Sequence, residues 1–153
     1  MSMEIYALSD ERLGSIAEWQ RAIDTDHSAL ELSAERPFSA LKGFLPARWH
    51  ADPTGFECDH WDAAGLMAEY ADINFGRRWT FALAFRWGAD LRACVAAYMA
   101  GAAYARATRG VVLDCEQGKI LSAEQAAEVA RDIDRQMPEI EAAVRNAVEQ
   151  FRR

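Results

Sequence analysis

The stretch from residue 88 to residue 110, GADLRACVAAYMAGAAYARATRG, constrains the fold of this chain more than any other. Apolar residues occupy most sides of the helix that it predicts, and many are alanines, which let neighbouring backbones approach closely. A helix that is apolar on most sides has to be covered by other elements. We therefore predict a long buried helix near residues 89–107 at the centre of the fold, with Gly110 at its C-terminal cap.

Charges within the most apolar region, residues 80–105, argue against a membrane span. Arg86, Asp90 and Arg92 lie near its middle, and charged side chains are costly in hydrocarbon. The N-terminus, MSMEIYALSDERL, lacks the basic start and long apolar run of a secretory signal. The three cysteines are odd in number and widely spaced, which favours a reducing compartment over a disulfide framework. We expect a cytoplasmic protein that does not bind membranes.

Strands and helices alternate irregularly along the rest of the chain. Strands are predicted at 3–9, 27–33 and 77–87 and in hairpins around DPTG (52–55) and CEQG (115–118); helices are predicted from a cap at Ser9 to about Asp24, over 62–73, and onward from a capping box at Ser122 and Gln125, with a break or kink at Met137 before Pro138. This order predicts an α+β fold. We expect one domain over residues 1–153, with five or six strands in a mixed or antiparallel sheet and four or five helices.

Acidic residues are concentrated in the first half of the chain. The formal net charge is −7, and residues 1–76 hold 14 acidic and 5 basic side chains, whereas residues 77–153 hold 10 and 12. Such asymmetry indicates a polarised surface. An acidic surface repels nucleic acid and anionic membranes and speeds encounter with basic proteins. Ordinary solubility is the alternative explanation for the same charge.

The run GFECDHWDAAG (55–65) raises the question of a metal or catalytic site. Cys58 and His60 are two apart and would share one face of a strand, and His50 would approach from the facing arm of the hairpin. Structural zinc sites usually show two Cys or His pairs, however, and only one pair is present. The acids around Cys58 would also raise the pKa of its thiol. We expect no cofactor and no catalytic residues; the alternative is a small metal-binding protein or enzyme that uses these three residues.

The same region also predicts an acidic surface that binds a protein. Asp62 and Glu69 are two helical turns apart, beside the predicted core stripe of Leu66 and Tyr70. Tryptophan is a favoured anchor in protein interfaces. The candidate partner-binding residues are Trp49, Asp52, Glu57, Asp59, Trp61, Asp62, Glu69 and Asp72. The alternative is that both tryptophans belong to the core and the acids are simply solvated.

Three segments resemble small bacterial immunity proteins, the antidotes of type VI secretion and other polymorphic toxin systems. The segments are YALSDERLGSIAEWQRAI, GFECDHWDAAGLMAEYADI and ATRGVVLDCEQGKILSAEQAAEVARDI, which together cover roughly half of the chain. The resemblance implies neutralisation of a cognate toxin by covering or distorting its active site. A nuclease toxin fits best on charge, because acids mimic phosphates. A further alternative is an oligomeric scaffold, in which the amphipathic tail 139–151 packs against a second copy to form a homodimer.

Overall fold

A seven-stranded antiparallel sheet organises the computed structural model, which describes residues 2–152. The strands are β1 (Met3–Ser9), β2 (Leu30–Leu32), β3 (Phe44–Trp49), β4 (Asp52–Asp62), β5 (Phe81–Trp87), β6 (Val111–Asp114) and β7 (Lys119–Leu121), and the helices are α1 (Ile16–Thr25), α2 (Ala63–Glu69), α3 (Leu91–Ala107) and α4 (Ala123–Arg152). The order across the sheet is β2-β3-β4-β5-β1-β6-β7. The predicted α+β class is confirmed, and the described strands number seven rather than the five or six expected.

Helix α3 is the centre of the main core, as its composition predicts. Every residue from Ala93 to Ala105 is buried, and α1, α4 and one face of the sheet all pack against the helix. Trp19 of α1 reaches it directly, because its indole Nε1 donates to the Ala100 carbonyl oxygen over 3.0 Å. Small side chains make these close contacts feasible: a Cβ on Gly101 would lie only 3.1 Å from Ile5 Cδ1 of β1. Within residues 2–152, no helix is both long and apolar enough to cross a membrane.

The β3–β4 hairpin exists, but its turn lies earlier than the DPTG signal predicts. Trp49 pairs with Asp52, so His50 and Ala51 form a two-residue turn, with left-handed φ angles of 49° and 66°. Two-residue turns of this kind match the twist of the strands that they join. The DPTG residues therefore belong to β4.

The predicted start of the first helix is wrong, and the break predicted at Met137 is not observed. Ser9 is buried at the end of β1 and its hydroxyl donates to the Glu11 carbonyl oxygen, whereas α1 begins after Ser15, whose hydroxyl accepts from the Glu18 amide. Helix α4 also continues through Pro138 without a break. The capping box that opens α4 is confirmed, because Ser122 and Gln125 exchange hydrogen bonds of 2.8 and 3.1 Å.

Candidate functional site

The two faces of the sheet are covered very differently. One face carries the main core under α1, α3 and α4. On the other, outer face, α2 and the segment that follows it cover a smaller cluster that includes Tyr6, Leu8 and Leu113. The outer face beside α2 stays open, and we call the side chains there the outer patch: Phe44, Glu57, Asp59, Trp61 and Arg86.

Trp61 is the aromatic centre of the outer patch. It is 38% exposed, and its ring packs edge-on against Tyr6 of β1 with ring centroids 5.9 Å apart. The Arg86 guanidinium lies over the same ring, with Cζ 5.4 Å from the centroid. Trp61 is therefore partly exposed and is contacted on two sides, by Tyr6 and by Arg86. A shallow groove lies beside it, lined by Asp59, Arg86 and the loop residues Leu41 and Lys42 among others.

Arg86 adds little net positive charge to the outer patch, because acids flank it on both neighbouring strands. Its cross-strand partners are Glu4 on β1 and Glu57 on β4. Its Nε donates to Glu4 Oε2 over 2.9 Å, and this bond raises the pKa of Arg86 above its ordinary value. The ion pair also positions the guanidinium over Trp61.

Glu57 and Asp59 lie on the outer side of β4, and a third acid, Asp62, ends the strand as the N-cap of α2. Glu57 and Asp62 are exposed and Asp59 is half-buried, and none has an ion-pair partner within the part of the chain that the structure describes. Asp59 Oδ1 accepts from the Gly43 amide over 2.9 Å, and the Asp62 carboxylate accepts from the Ala64 and Gly65 amides as the N-cap of α2. The structure thus brings these three acids and Trp61 close together at the end of β4, as the sequence predicts.

Glu69 and Asp72 lie at the other end of α2 and are also exposed. Tyr70, between them in sequence, donates its hydroxyl to Glu4 Oε1 over 3.4 Å. Because Glu4 is the partner of Arg86, this contact places the end of α2 beside the outer patch.

Trp49 and Asp52 are not part of this surface, which corrects the sequence prediction. Trp49 is only 6% exposed and faces the helices, and its indole Nε1 donates to Asp134 Oδ1 of α4 over 3.1 Å. Asp52 lies at the hairpin turn on the same side of the sheet, 3.7 Å from Arg92 of α3. Trp49 is therefore a core residue and Asp52 belongs to a different surface.

The alternative site of His50, Cys58 and His60 is wrong, because the structure does not bring these residues together. His50 is in the hairpin turn, whereas Cys58 lies six residues beyond the start of β4, roughly 20 Å away at the usual strand rise. The His60 Nε2 atom is 2.8 Å from the Phe38 carbonyl oxygen, which occupies it. Among residues 2–152, no group of three or more His, Cys, Asp or Glu side chains is arranged to hold a metal ion.

The cysteines are poor nucleophiles in this fold. Cys58 is fully buried, and burial together with the neighbouring Asp59 charge raises the pKa of its thiol far above the ordinary value. Burial likewise raises the pKa of Cys94 and of Cys115 to about 11. All three thiols are protonated at neutral pH, whereas a reactive cysteine needs the thiolate.

Sequence reasoning missed Phe44 and Arg86. Phe44 is 54% exposed, since β3 alternates strictly and turns Leu45, Ala47 and Trp49 towards the helices. That alternation is visible in FLPARW and would have placed Phe44 on the outer face. Its ring occupies the space above Gly55, where a Cβ would overlap it. The same period-two pattern in β5 would have placed Arg86 on the outer face, opposite to Phe85 and Trp87.

Comparison of the chain with protein-family models, with curated proteins and with solved structures finds no match.

Proposed function

We propose that this chain is an immunity-type protein of the cytoplasm that binds a toxin protein and inhibits it without covalent chemistry. The observation that carries the proposal is Trp61, an exposed tryptophan held by Tyr6 and Arg86 beside unpaired acids. The resemblance of three sequence segments to immunity proteins points in the same direction.

Affinity in this proposal comes from Trp61, which enters an apolar pocket of the toxin, with Phe44 packing at the edge. Glu57, Asp59 and Asp62 provide electrostatic complementarity to a basic surface, which raises the association rate. A nuclease is the toxin class that suits these charges best, because its nucleic-acid channel is basic. The chain itself binds neither nucleic acid nor membrane in this proposal. The buried, protonated thiol of Cys58 favours binding over catalysis in this region.

Co-expression tests the proposal. The product of the gene beside that of this chain is produced in a bacterium, alone and together with the chain, and growth is measured. Rescue of growth and formation of a stable complex are expected. If the neighbouring product is toxic and this chain neither binds it nor restores growth, the immunity role is wrong.

Variants of the complex test the surface separately. Trp61→Ala should weaken binding at least about 30-fold, as expected for an anchor worth 2 kcal/mol or more. The control is Gln117→Ala, which truncates an exposed side chain in the turn between β6 and β7, at the edge of the sheet beyond β1. Equal affinities for the two variants would assign binding to another surface.

Charge is tested with Glu57→Gln, Asp59→Asn and Asp62→Asn together. Asparagine keeps an oxygen for the Gly43 amide and for the cap of α2, so the fold is preserved while three charges are lost. The association rate should fall and lose most of its salt dependence. Neutralising Glu11, Glu31 and Glu35, which are exposed elsewhere, is the control and should change the rate much less.

A further inference from the structure

The second half of α4 exposes an apolar stripe that nothing else in the described chain covers. Glu141 lies beside Arg92 near the start of α3, with Oε1 3.6 Å from Nη1, and α4 continues for eleven more residues. All residues from 143 to 152 are exposed. The stripe consists of Ile140, Val144, Val148 and Phe151, whose exposed fractions are 37%, 58%, 46% and 94%.

The flank of this stripe carries charges that alternate in sign. At helical spacing, Glu141, Arg145, Glu149 and Arg152 all fall on one side of the apolar residues. The opposite flank is nearly uncharged and contains the small residues Ala143 and Ala147. Along the chain these charges run acid, base, acid, base. In the reverse direction they run base, acid, base, acid, so each acid of one copy lies opposite a base of a reversed copy.

This reversal determines which partner fits. In an antiparallel pair of identical helices related by a twofold axis, the same flank of each helix meets, with the sequence reversed. Arg145 then faces Glu149 of the second copy, and Glu141 faces Arg152. A parallel pair would instead place the charged flank against the alanine flank. We infer that the second half of α4 is an antiparallel homodimer interface.

The apolar residues match in the same register. Val144 meets Val148 of the second copy, and Ile140 lies level with its Phe151. A groove runs beside Ile140 and Val144 and is lined by Leu91 at the start of α3, and it receives the phenylalanine ring. Two short helix segments form an interface at the low end of specific sizes, below about 1,200 Å² in total. The dimer is therefore weak and concentration-dependent, and the outer patch remains free.

Sedimentation equilibrium of the full chain over a range of concentrations tests the dimer. The wild type should show a mass that rises from monomer to dimer, and Val144→Asp should raise the dissociation constant at least about tenfold by placing an unpaired charge in the interface. Because Val144 is exposed, the variant should keep the far-ultraviolet circular dichroism of the wild type. A wild type that stays monomeric up to its solubility limit overturns the inference.

Two charge variants test the antiparallel arrangement. Arg145→Glu gives each copy acids at 145 and 149, and Glu149→Arg gives each copy bases at both positions. Neither variant should self-associate as tightly as the wild type, but an equimolar mixture should form a heterodimer. Failure of the mixture to associate overturns the antiparallel register, and unchanged self-association of both single variants assigns dimerisation to another surface. These measurements need no toxin, so their outcome is independent of the proposed function.

Discussion

The guanidinium of Arg86 lies over the indole of Trp61, and a single carboxylate, that of Glu4, holds it there. Arg86 Cζ is 5.4 Å from the ring centroid, and its Nε is 2.9 Å from Glu4 Oε2. The three residues come from β5, β4 and β1, so the contact joins neighbouring strands across the outer face. Its removal should affect the tryptophan more than the fold.

Arg86→Ala should remove the cation–π contact of Trp61 and keep its ring contact with Tyr6. A half-exposed cation–π contact contributes about 0.5–1 kcal/mol, and a partly exposed ion pair about 0–1 kcal/mol, so the free energy of unfolding should fall by about 1 kcal/mol. The indole N–H signal of Trp61 in a nitrogen–proton correlation spectrum should shift, whereas that of the buried Trp19 should not. Arg86→Lys, which keeps the charge, is the control. An unchanged Trp61 signal in the alanine variant would show that Arg86 does not hold the ring.

The same substitution should destabilise the protein more at Trp49 than at Trp61. Trp49→Phe removes the 3.1 Å hydrogen bond to Asp134, so we expect a loss of about 1 kcal/mol in the free energy of unfolding. Trp61→Phe removes no hydrogen bond of the indole and should cost less than about 0.5 kcal/mol. Urea unfolding of both variants measures the difference. The reverse ranking would contradict the assignment of Trp49 to the core and of Trp61 to the surface.

The chain should lose stability in alkaline solution. Burial raises the pKa of Cys94 and Cys115 to about 11, and that of Cys58 further, while unfolded cysteines titrate near about 8.5. Above that pH the unfolded chain releases thiol protons that the folded chain retains, so the unfolded state is favoured as pH rises. The stability that comes from burying neutral thiols is therefore fully present below about pH 8 and is lost as the pH rises above it.

Buried tyrosines extend the same trend to higher pH. Burial is the main cause that raises the pKa of Tyr6 and of Tyr104 to about 12, against about 10 in the unfolded chain. Urea unfolding should therefore show a free energy of unfolding that falls by several kcal/mol between pH 8 and pH 10, about 2 kcal/mol for each thiol that stays protonated only in the folded chain, and more steeply beyond. Cys58→Ala should reduce the slope between pH 8 and pH 10. A flat profile over that range would contradict the assigned thiol burial.

Gly110 should tolerate no side chain, although it is not the residue that reverses the chain after α3. Arg109 has the left-handed φ of 57°, and the Gly110 amide then donates to the Ala105 carbonyl oxygen over 2.7 Å. A Cβ on Gly110 would overlap the Leu8 carbonyl oxygen of β1. Gly110→Ala should cost about 1–3 kcal/mol through overpacking. Gly88→Ala, whose Cβ meets nothing within 4 Å, should stay within about 0.5 kcal/mol, and equal stabilities of the two variants would contradict the close approach.

Local chemistry made some elements predictable from sequence. Residues 91–107 form a helix that is apolar on most sides, so other elements have to bury it. The Ser122–Gln125 capping box is predictable because all of its interactions lie within four residues. The hairpin turn was misplaced because His50 and Ala51 carry no glycine or asparagine signal, although both adopt left-handed φ. Pairing of β3 with β4 outweighs the cost of left-handed φ angles at these two residues. The helix through Pro138 is likewise a case in which surrounding turns outweigh one lost hydrogen bond.

The site was predictable to the extent that it depends on strand parity. Glu57, Asp59 and Trp61 are two residues apart in one strand, so they share a face whatever the register. The face of Trp49 depends on where the hairpin turns, since a shift of one residue moves every side chain to the other side. The DPTG signal alone does not fix which residues of β3 and β4 pair. The observed pairing of Trp49 with Asp52 fixes the register, and with it the face on which Trp49 lies.

The contacts of Trp61 with Tyr6 and Arg86 have a consequence for the thermodynamics of docking. An exposed side chain that becomes fixed on binding loses rotational freedom, at about 0.5–1.5 kcal/mol for each residue. The indole of Trp61 is already confined between a ring and a guanidinium before any protein approaches. Much of that side-chain entropy is thus already lost in the free chain, and a protein that docked on Trp61 in the proposed way would pay less of it.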